Sequence, residues 1–349
     1  MKMLRYIPYV LAISVAASCM KPFDLKLDDE PIIYLEAFPG VEDVVVFNIQ
    51  PGYAYSNTAL KPEFKPEIHF TVNGEDIPIV LNEGSRFGDR FPETSYVADY
   101  KPVPGDRMTV EVHSEGFASI YAETSIPVPF PERKIDFRVV ETAERNYGVI
   151  FVSYKDDAEN TIAYGMQICE ETVYYKPGEA PHKYSYVYAG DQIADDYEFA
   201  PQSFEGITMN FNGWSVQNGD YIAGWDDALF SGQDKTISMV VHSYGTHGMT
   251  PEDSFYEHTF DNPVYNENNE VIDSYPGVSH SKLLLYTMSP EFYKYAVAQE
   301  LILDNADFFA GIAPSNFCYS NIKGGYGAFA GIYRVETDWI TREFIENNR

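Results

Sequence analysis

Apolar and polar positions alternate with a period of two along most of the chain. Ile68, Phe70 and Val72 alternate with Glu67, His69 and Thr71. Such alternation predicts a strand with one buried face. Asn73-Gly74 follows, and then Ile77, Ile79 and Leu81 continue the pattern. Asn-Gly between alternating runs predicts a tight hairpin, because a type I′ turn needs positive φ at both central residues. Met108, Val110 and Val112 form the next run, and Ser114-Glu115-Gly116 separates it from Ile120, Ala122 and Thr124. Several short strands with turn signals between them predict a β-sandwich over residues 31–127.

Residues 126–132 read I-P-V-P-F-P-E. Three prolines cannot donate to a sheet ladder, so a domain boundary is placed here. Strand patterns resume beyond it. Val149, Phe151 and Ser153 face one way and Ile150, Val152 and Tyr154 the other. Ile207, Met209 and Phe211 lead into Asn212-Gly213 and a second hairpin, and Ile237, Met239 and Val241 form a further strand. Residues 190–205 and 245–280 read as long loops. Ser289-Pro290-Glu291 supplies an N-cap, a proline at the first helical position and an early acid. It predicts a helix near 290–304, with Tyr293, Val297 and Leu301 as its buried stripe. A short helix at 338–346 would carry Ile340 and Phe344 on one side. The predicted fold is mostly β: two β-sandwich domains, Ig-like or prealbumin-like, with one C-terminal helix packed on the second. The second β-rich domain spans 128–349. Aromatic residues are 15% of the chain, with 28 Tyr and 23 Phe. That richness supports pleated, half-buried surfaces over helices.

The start of the chain changes the picture of where it works. Lys2 and Arg5 precede an apolar run, Ile7 to Ala17, broken only by Pro8 and Ser14. The run is too short to cross a bilayer as a helix and has the charge and small-residue ending of a secretory signal. Ala16-Ala17-Ser18-Cys19 is similar to a bacterial lipoprotein signal, in which small residues precede a cysteine. Residues 1–18 are then the signal peptide, Cys19 is lipidated, and 19–30 form a tether. Two or more acyl chains, at about 0.8 kcal/mol per buried CH₂, anchor a protein stably. Asp28, Asp29 and Glu30 lie close to the anchor. They are similar to the acidic surface-export signals of Bacteroidota lipoproteins, which favours the cell exterior.

The formal charge is −29, and removing Lys2 and Arg5 with the signal leaves about −31. Such a charge repels phosphate backbones and excludes nucleic acid as a partner. Cys169 and Cys318 remain beside Cys19; both lie in apolar stretches and read as buried free thiols rather than a disulfide. No C-x-x-C, G-x-S-x-G, H-E-x-x-H, P-loop or EF-hand pattern occurs. Gly324-Gly325-Tyr326-Gly327 lacks the Gly-Lys-Ser/Thr of a phosphate loop and reads as a tight turn with close backbone packing. His242, His247, His258 and His280 match no metal-site spacing, and no metal or cofactor is expected.

Tyr184, Tyr186 and Tyr188 share one side of a strand, and Trp214 and Trp225 lie on nearby hairpin segments. Together they form the candidate ligand surface, because aromatic platforms grip sugars and apolar ligands; a core or partner interface is the competing reading. A glycosidase would need two carboxylates at a set separation across a cleft. Among 53 acids the sequence does not pick such a pair.

T-M-S-P-E-F-Y-K-Y at 287–295 and P-S-N-F-C-Y-S-N-I-K-G-G-Y-G-A-F-A-G at 314–331 resemble a Bacteroidota lipoprotein family catalogued as domain of unknown function 4249. Asn321, Ile322, Gly325, Gly327 and Phe329 match the family's glycine-rich motif, which reads as structural. V-P-G-D-R-M-T-V-E-V at 103–112, K-D-D-A-E-N-T-I-A-Y at 155–164 and W-D-D-A-L-F-S-G-Q at 225–233 are loosely similar too. The resemblance implies an outer-membrane lipoprotein, similar to those encoded beside TonB-dependent transporters, and no catalytic residue. Three functions follow as expectations: a non-enzymatic, solute-capturing partner of such a transporter, a structural or adhesive fimbrial-type protein, or a surface glycan or peptide hydrolase.

Overall fold

The computed structural model describes residues 31–53, 61–87, 91–141, 146–176, 178, 180–188, 207–210, 221–227, 231–241, 256, 258–265, 267, 271–303 and 319–348. Cys19, Trp214 and Cys318 lie outside them, as do the signal and the tether. The fold is mostly β, as the alternation predicts.

The N-terminal part holds β1 (Ile32–Ala37), β2 (Val45–Gly52), β3 (Glu67–Val72), β4 (Glu75–Asp76), β5 (Ile79–Leu81), β6 (Tyr96–Ala98), β7 (Arg107–His113) and β8 (Ile120–Ser125). One sheet runs β4-β3-β7-β8. The other contains β1-β2-β6-β5. Their inner faces meet in a core of Ile33, Leu35, Val45, Phe47, Phe70, Val110 and neighbouring residues. Asn73 and Gly74 both have positive φ, at 54° and 85°, as the predicted turn requires. The alternating run after that turn does not continue as one strand. It breaks at Pro78, so that β4 stays with β3 while β5 crosses to pair with β6. Proline has no N–H to carry the ladder through this point, and one alternating pattern serves two sheets.

The rest of the chain holds β9 (Arg133–Glu141), β10 (Asn146–Lys155), β11 (Ala163–Tyr174), β12 (His182–Tyr188), β13 (Ile207–Asn210), β14 (Tyr221–Asp226), β15 (Asp234–Val241), β16 (His258–Tyr265) and β17 (Val271–Met288). Helix α1 (Pro290–Leu303), β18 (Tyr326–Phe329), β19 (Ile332–Glu336) and helix α2 (Arg342–Asn348) follow. The sheet β15-β10-β9 packs on a larger one ordered β13-β14-β11-β17-β16, where β12 also pairs with β11 and β19 with β17. Between them lies a second core, with Ile150, Val152, Tyr164, Met166, Ile237, Leu283 and Leu285. The proline segment is built into this interior: Phe130 is buried and its ring lies 5.0 Å from Tyr154 and 5.3 Å from Tyr164.

Three expectations need correction. Much of the 245–280 stretch, read as a loop, forms β16 and the first half of β17. Apolar and polar residues do not alternate in sequence there, yet the two segments pair antiparallel from His258↔Ser279 to Tyr265↔Val271. Helix α1 starts as predicted, with the Phe292 amide donating to Ser289 Oγ at 3.2 Å. Its buried face is turned, however: Phe292, Tyr295 and Ala296 are buried, whereas Tyr293 and Val297 are half-buried. The alanines let the helix come close to the sheet face formed by Leu284, Tyr286 and Met288, and Phe38 packs edge-on against Phe292 at 5.3 Å. Third, the division at 127/128 does not hold for the C-terminal motif. Strand β18 leaves the second sandwich and pairs parallel with β1, Leu35 opposite Gly327 and Ala37 opposite Phe329. Ile322 and Phe329 are buried in the first core. A local pattern cannot reveal a partner nearly three hundred residues away.

The two sandwiches are joined through packed surface. Ala330, Ile332, Phe292 and Ala296 share a small core with Leu284 and Tyr286, and Phe38 and Val41 from the first sandwich pack on it. Beside it the Glu36 carboxylate accepts hydrogen bonds from the Tyr34 and Tyr295 hydroxyls, which themselves lie 3.1 Å apart. Burial, followed by the Glu36 charge and hydrogen bond, pushes the Tyr295 phenol far above its ordinary range. Both shifts favour the protonated phenol, which is the form that donates to Glu36.

Candidate functional site

The outer face of β3, β7 and β8 carries alternate residues that the first core does not use. The register sets Glu67 opposite His113, His69 opposite Glu111, and Glu111 opposite Tyr121. Acids and imidazoles therefore form a chequered patch on two adjacent strands. One wall is supplied by the C-terminal motif, where the Tyr121 amide donates to the Lys323 carbonyl at 3.0 Å and the Lys323 amide to the Tyr121 carbonyl at 2.8 Å. The result is a cleft of about 540 Å³ lined by Glu67, His69, Glu111, His113, Tyr121 and Lys323, among others. That volume falls in the range of small-solute sites.

Most lining groups are held by a neighbour. His69 Nε2 lies 2.6 Å from Asp76 Oδ1. His113 Nδ1 lies 2.9 Å from Ser119 Oγ. Tyr121 donates to Glu123 at 3.0 Å, and the Lys323 ammonium sits 4.9 Å from the centre of the Tyr121 ring. The hydrogen bond to Glu123, together with burial and the charges of Glu123 and Glu111, raises the Tyr121 phenol above its usual value. Glu67 and Glu111 make no hydrogen bond or ion pair among the described residues. They are the two carboxylates in the cleft with charge to offer a ligand, beside the Lys323 ammonium over the Tyr121 ring.

The Ser119–His113 contact brings a hydroxyl to an imidazole, the first half of an activated nucleophile. The second half is a group that orients the base. Glu67 faces His113 across the strands but does not bond it. Among the described residues no group of three or more His, Cys, Asp or Glu side chains is placed to hold a metal ion.

The residues singled out by sequence fall elsewhere. Tyr184, Tyr186 and Tyr188 lie on β12, opposite Thr172, Glu170 and Ile168 of β11. Trp225 corrects the aromatic-platform expectation: it is 3% exposed in the second core, and its indole N–H donates to Tyr154 Oη at 2.7 Å. It is a core residue because its ring lies on the inner face of β14, stacked at 6.3 Å on Tyr164. The neighbouring acid Asp227 is buried and accepts from the Ile162 amide at 3.0 Å, while Asp156 accepts from Tyr164 Oη at 2.5 Å. Burial, with the Asp156 and Asp226 charges, raises the Asp227 carboxyl.

The glycine-rich motif is packed backbone. Gly327 has φ +112°, and a Cβ there would lie 2.0 Å from the Leu35 carbonyl oxygen; at Gly325 it would lie 2.4 Å from the Ile33 carbonyl oxygen. Only glycine lets β18 reach β1. Asn321 holds the motif shut, its amide donating to the Phe329 carbonyl at 2.8 Å and its carbonyl accepting from the Phe329 amide at 3.0 Å.

A second polar cluster, unannounced by any motif, lies on the outer face of the large sheet. His280 stacks on Trp339 with centroids 3.7 Å apart and pairs with Glu171 at 3.1 Å, and Lys183 reaches the same carboxylate at 3.3 Å. Lys282 pairs with Glu336, which Arg334 also contacts at 3.1 Å. Burial pushes the Glu171 carboxyl up, but His280 and Lys183 together pull it further down, so it lies below the usual carboxylate value. These charges satisfy one another, which marks a structural network. Cys169 nearby is a buried free thiol, raised by desolvation.

Compared with known proteins, the chain matches no family model, no curated protein and no solved structure.

Proposed function

We propose that this protein is a non-enzymatic, lipid-anchored lipoprotein of the outer membrane, facing the cell exterior, that captures a solute for a TonB-dependent transporter. The anchor is Cys19 and the capture surface is the cleft on the first sandwich. One observation carries the capture role: a solute-sized cleft in which Glu67 and Glu111, two carboxylates without a hydrogen bond or ion pair among the described residues, outnumber the one ammonium, Lys323, which sits over the Tyr121 ring. A carboxylate left unpaired at neutral pH is complementary to an ammonium or guanidinium group. The preferred solute is therefore organic and cationic, and the Tyr121 ring offers it an apolar edge.

Affinity purification from detergent-solubilised outer membranes, with a C-terminal tag, tests this reading. A stoichiometric β-barrel transporter in the eluate supports it. A lipoprotein that elutes alone, or that fractionates with the inner membrane, overturns it. The fimbrial-type alternative predicts polymers by size-exclusion chromatography instead.

A further inference from the structure

We propose that residues 321–331 are an in-chain closing strand: they complete the first sandwich, and the cleft exists only while they are docked. The main core of the second sandwich uses none of them; only the end of the segment touches that sandwich, through Ala330 in the small core on its outer face and the Gly331 carbonyl, which accepts from the Ser289 amide at 2.9 Å. The argument rests on where each atom of the segment goes. On one flank, β18 satisfies the edge of β1 over Tyr34–Ala37, and the Ala330 amide continues the contact to the Ala37 carbonyl at 3.1 Å. On the other flank, Lys323 bridges Tyr121 of β8, and the Gly331 amide donates to Thr124 Oγ1 at 2.8 Å. The segment thus lies between the edges of both sheets. Phe329 fills the core there, its ring 6.1 Å from Phe47 and 6.5 Å from Phe70.

Removing the segment would leave the β1 backbone edge unpaired and an apolar slot between Phe47 and Phe70. Both defects are costly in a small sandwich. The second core holds no residue of 321–331; among the described residues after α1 it takes only Ile340 and Ile345, with Val335 and Phe344 packed alongside. The consequences are therefore unequal. The N-terminal sandwich, first out of the membrane after the tether, stays open until nearly the whole chain has emerged. Lys323 and Gly324 form the cleft wall, so docking of the segment also builds the capture surface. That last clause rests on the capture reading above; the closure does not.

Hydrogen exchange of the full-length protein, read by mass spectrometry, tests the proposal without any ligand. Phe329→Ala is expected to lower protection in β1, β2 and β8 by about a hundredfold, with β10 and β11 changed by less than about threefold. Nitration of Tyr121 by tetranitromethane is expected to quicken several-fold in the same variant, because Lys323 no longer covers the ring. An equal fall in both sandwiches, or unchanged protection in β1 and β8, overturns the proposal. Asn321→Ala, which removes only the two bonds that shut the motif, gives the same contrast at smaller amplitude if Phe329→Ala does not fold. Neither readout uses a solute or a transporter, so the closure can fail while the capture role survives, and the reverse.

Discussion

The two sandwiches solve the same problem differently. The second is built from strands and a helix of the later part of the chain, with none taken from before the proline segment, and its interior carries a buried polar network: Tyr164 to Asp156, Trp225 to Tyr154, Asp227 to the Ile162 amide. The first also buries satisfied polar groups, Asn82 and Asp106, but it borrows a strand from the far end of the chain. The lesson concerns where specificity is stored. In the second, it lies in satisfied polar groups that would be costly to bury unpaired. In the first, it lies also in backbone approach at Gly325 and Gly327, where a Cβ would collide with the β1 carbonyls.

The contrast is open to breakage at graded strengths. The largest effect is expected from Gly327→Val, which puts a branched side chain at φ +112° where even a Cβ would lie 2.0 Å from the Leu35 carbonyl oxygen. Loss of about 4 kcal/mol or more is expected, read as a lower denaturant midpoint for the first sandwich ahead of the second. Wild-type cooperativity in that variant would show that β18 does not matter to the first core. Trp225→Ala is the counterpart in the second sandwich. It empties a buried indole site and strips the Tyr154 hydroxyl of its donor, at an expected cost of about 3–5 kcal/mol by chemical denaturation. Solute capture should persist in it, since Trp225 lies far from the cleft surface.

Asn321→Ala ranks next, at about 1–3 kcal/mol, because it leaves the Phe329 N–H and C=O without their partners. Differential scanning calorimetry would read it as an earlier first transition. Acid sharpens the comparison further. The Glu171 carboxyl is lowered by His280 and Lys183, so its contribution is present above its unfolded value of about 4.5 and disappears as pH falls through the folded value. Asp227 behaves oppositely: its raised carboxyl is penalised at neutral pH, and protonation relieves the penalty as pH falls. Glu171→Gln should flatten the acid limb of melting temperature against pH, and Asp227→Asn should steepen it. Matching curves for the two variants would contradict the assignment. The smallest effect is expected from Glu67→Gln with Glu111→Gln. Stability should stay within about 0.5 kcal/mol, as for exposed surface changes, while binding of a cationic probe such as agmatine, followed by NMR, is lost.

Period-two alternation was enough to announce strands such as β3, β7, β8, β10 and β15, and local turn and cap chemistry was enough for Asn73-Gly74 and for the start of α1 at Ser289. These features are legible because their causes lie within a few residues. Pro78 was visible, but its effect, passing the chain from one sheet to the other, depends on the second sheet being there. Trp225 looked like a platform because sequence does not say which face of β14 points inward. The residues of 258–276 hid two strands because apolar and polar positions do not alternate there in sequence, and the ladder is made between the two segments themselves. The cleft was hidden for a similar reason. Glu67, His69, Glu111 and His113 are ordinary outward positions on their own strands, and only the pairing of β3 with β7 sets them side by side.

What the sequence determined by itself is the mostly β architecture, the acidic surface, the helix cap and the expectation of an anchor at Cys19. What only the tertiary structure decided is which strands meet. The motif Asn321 to Phe329 reads locally as a tight glycine turn; its role comes from β1, which lies some 290 residues earlier. Closure over that distance is governed by chain entropy and by the match of two edges in space, and neither quantity is written in any short stretch of residues.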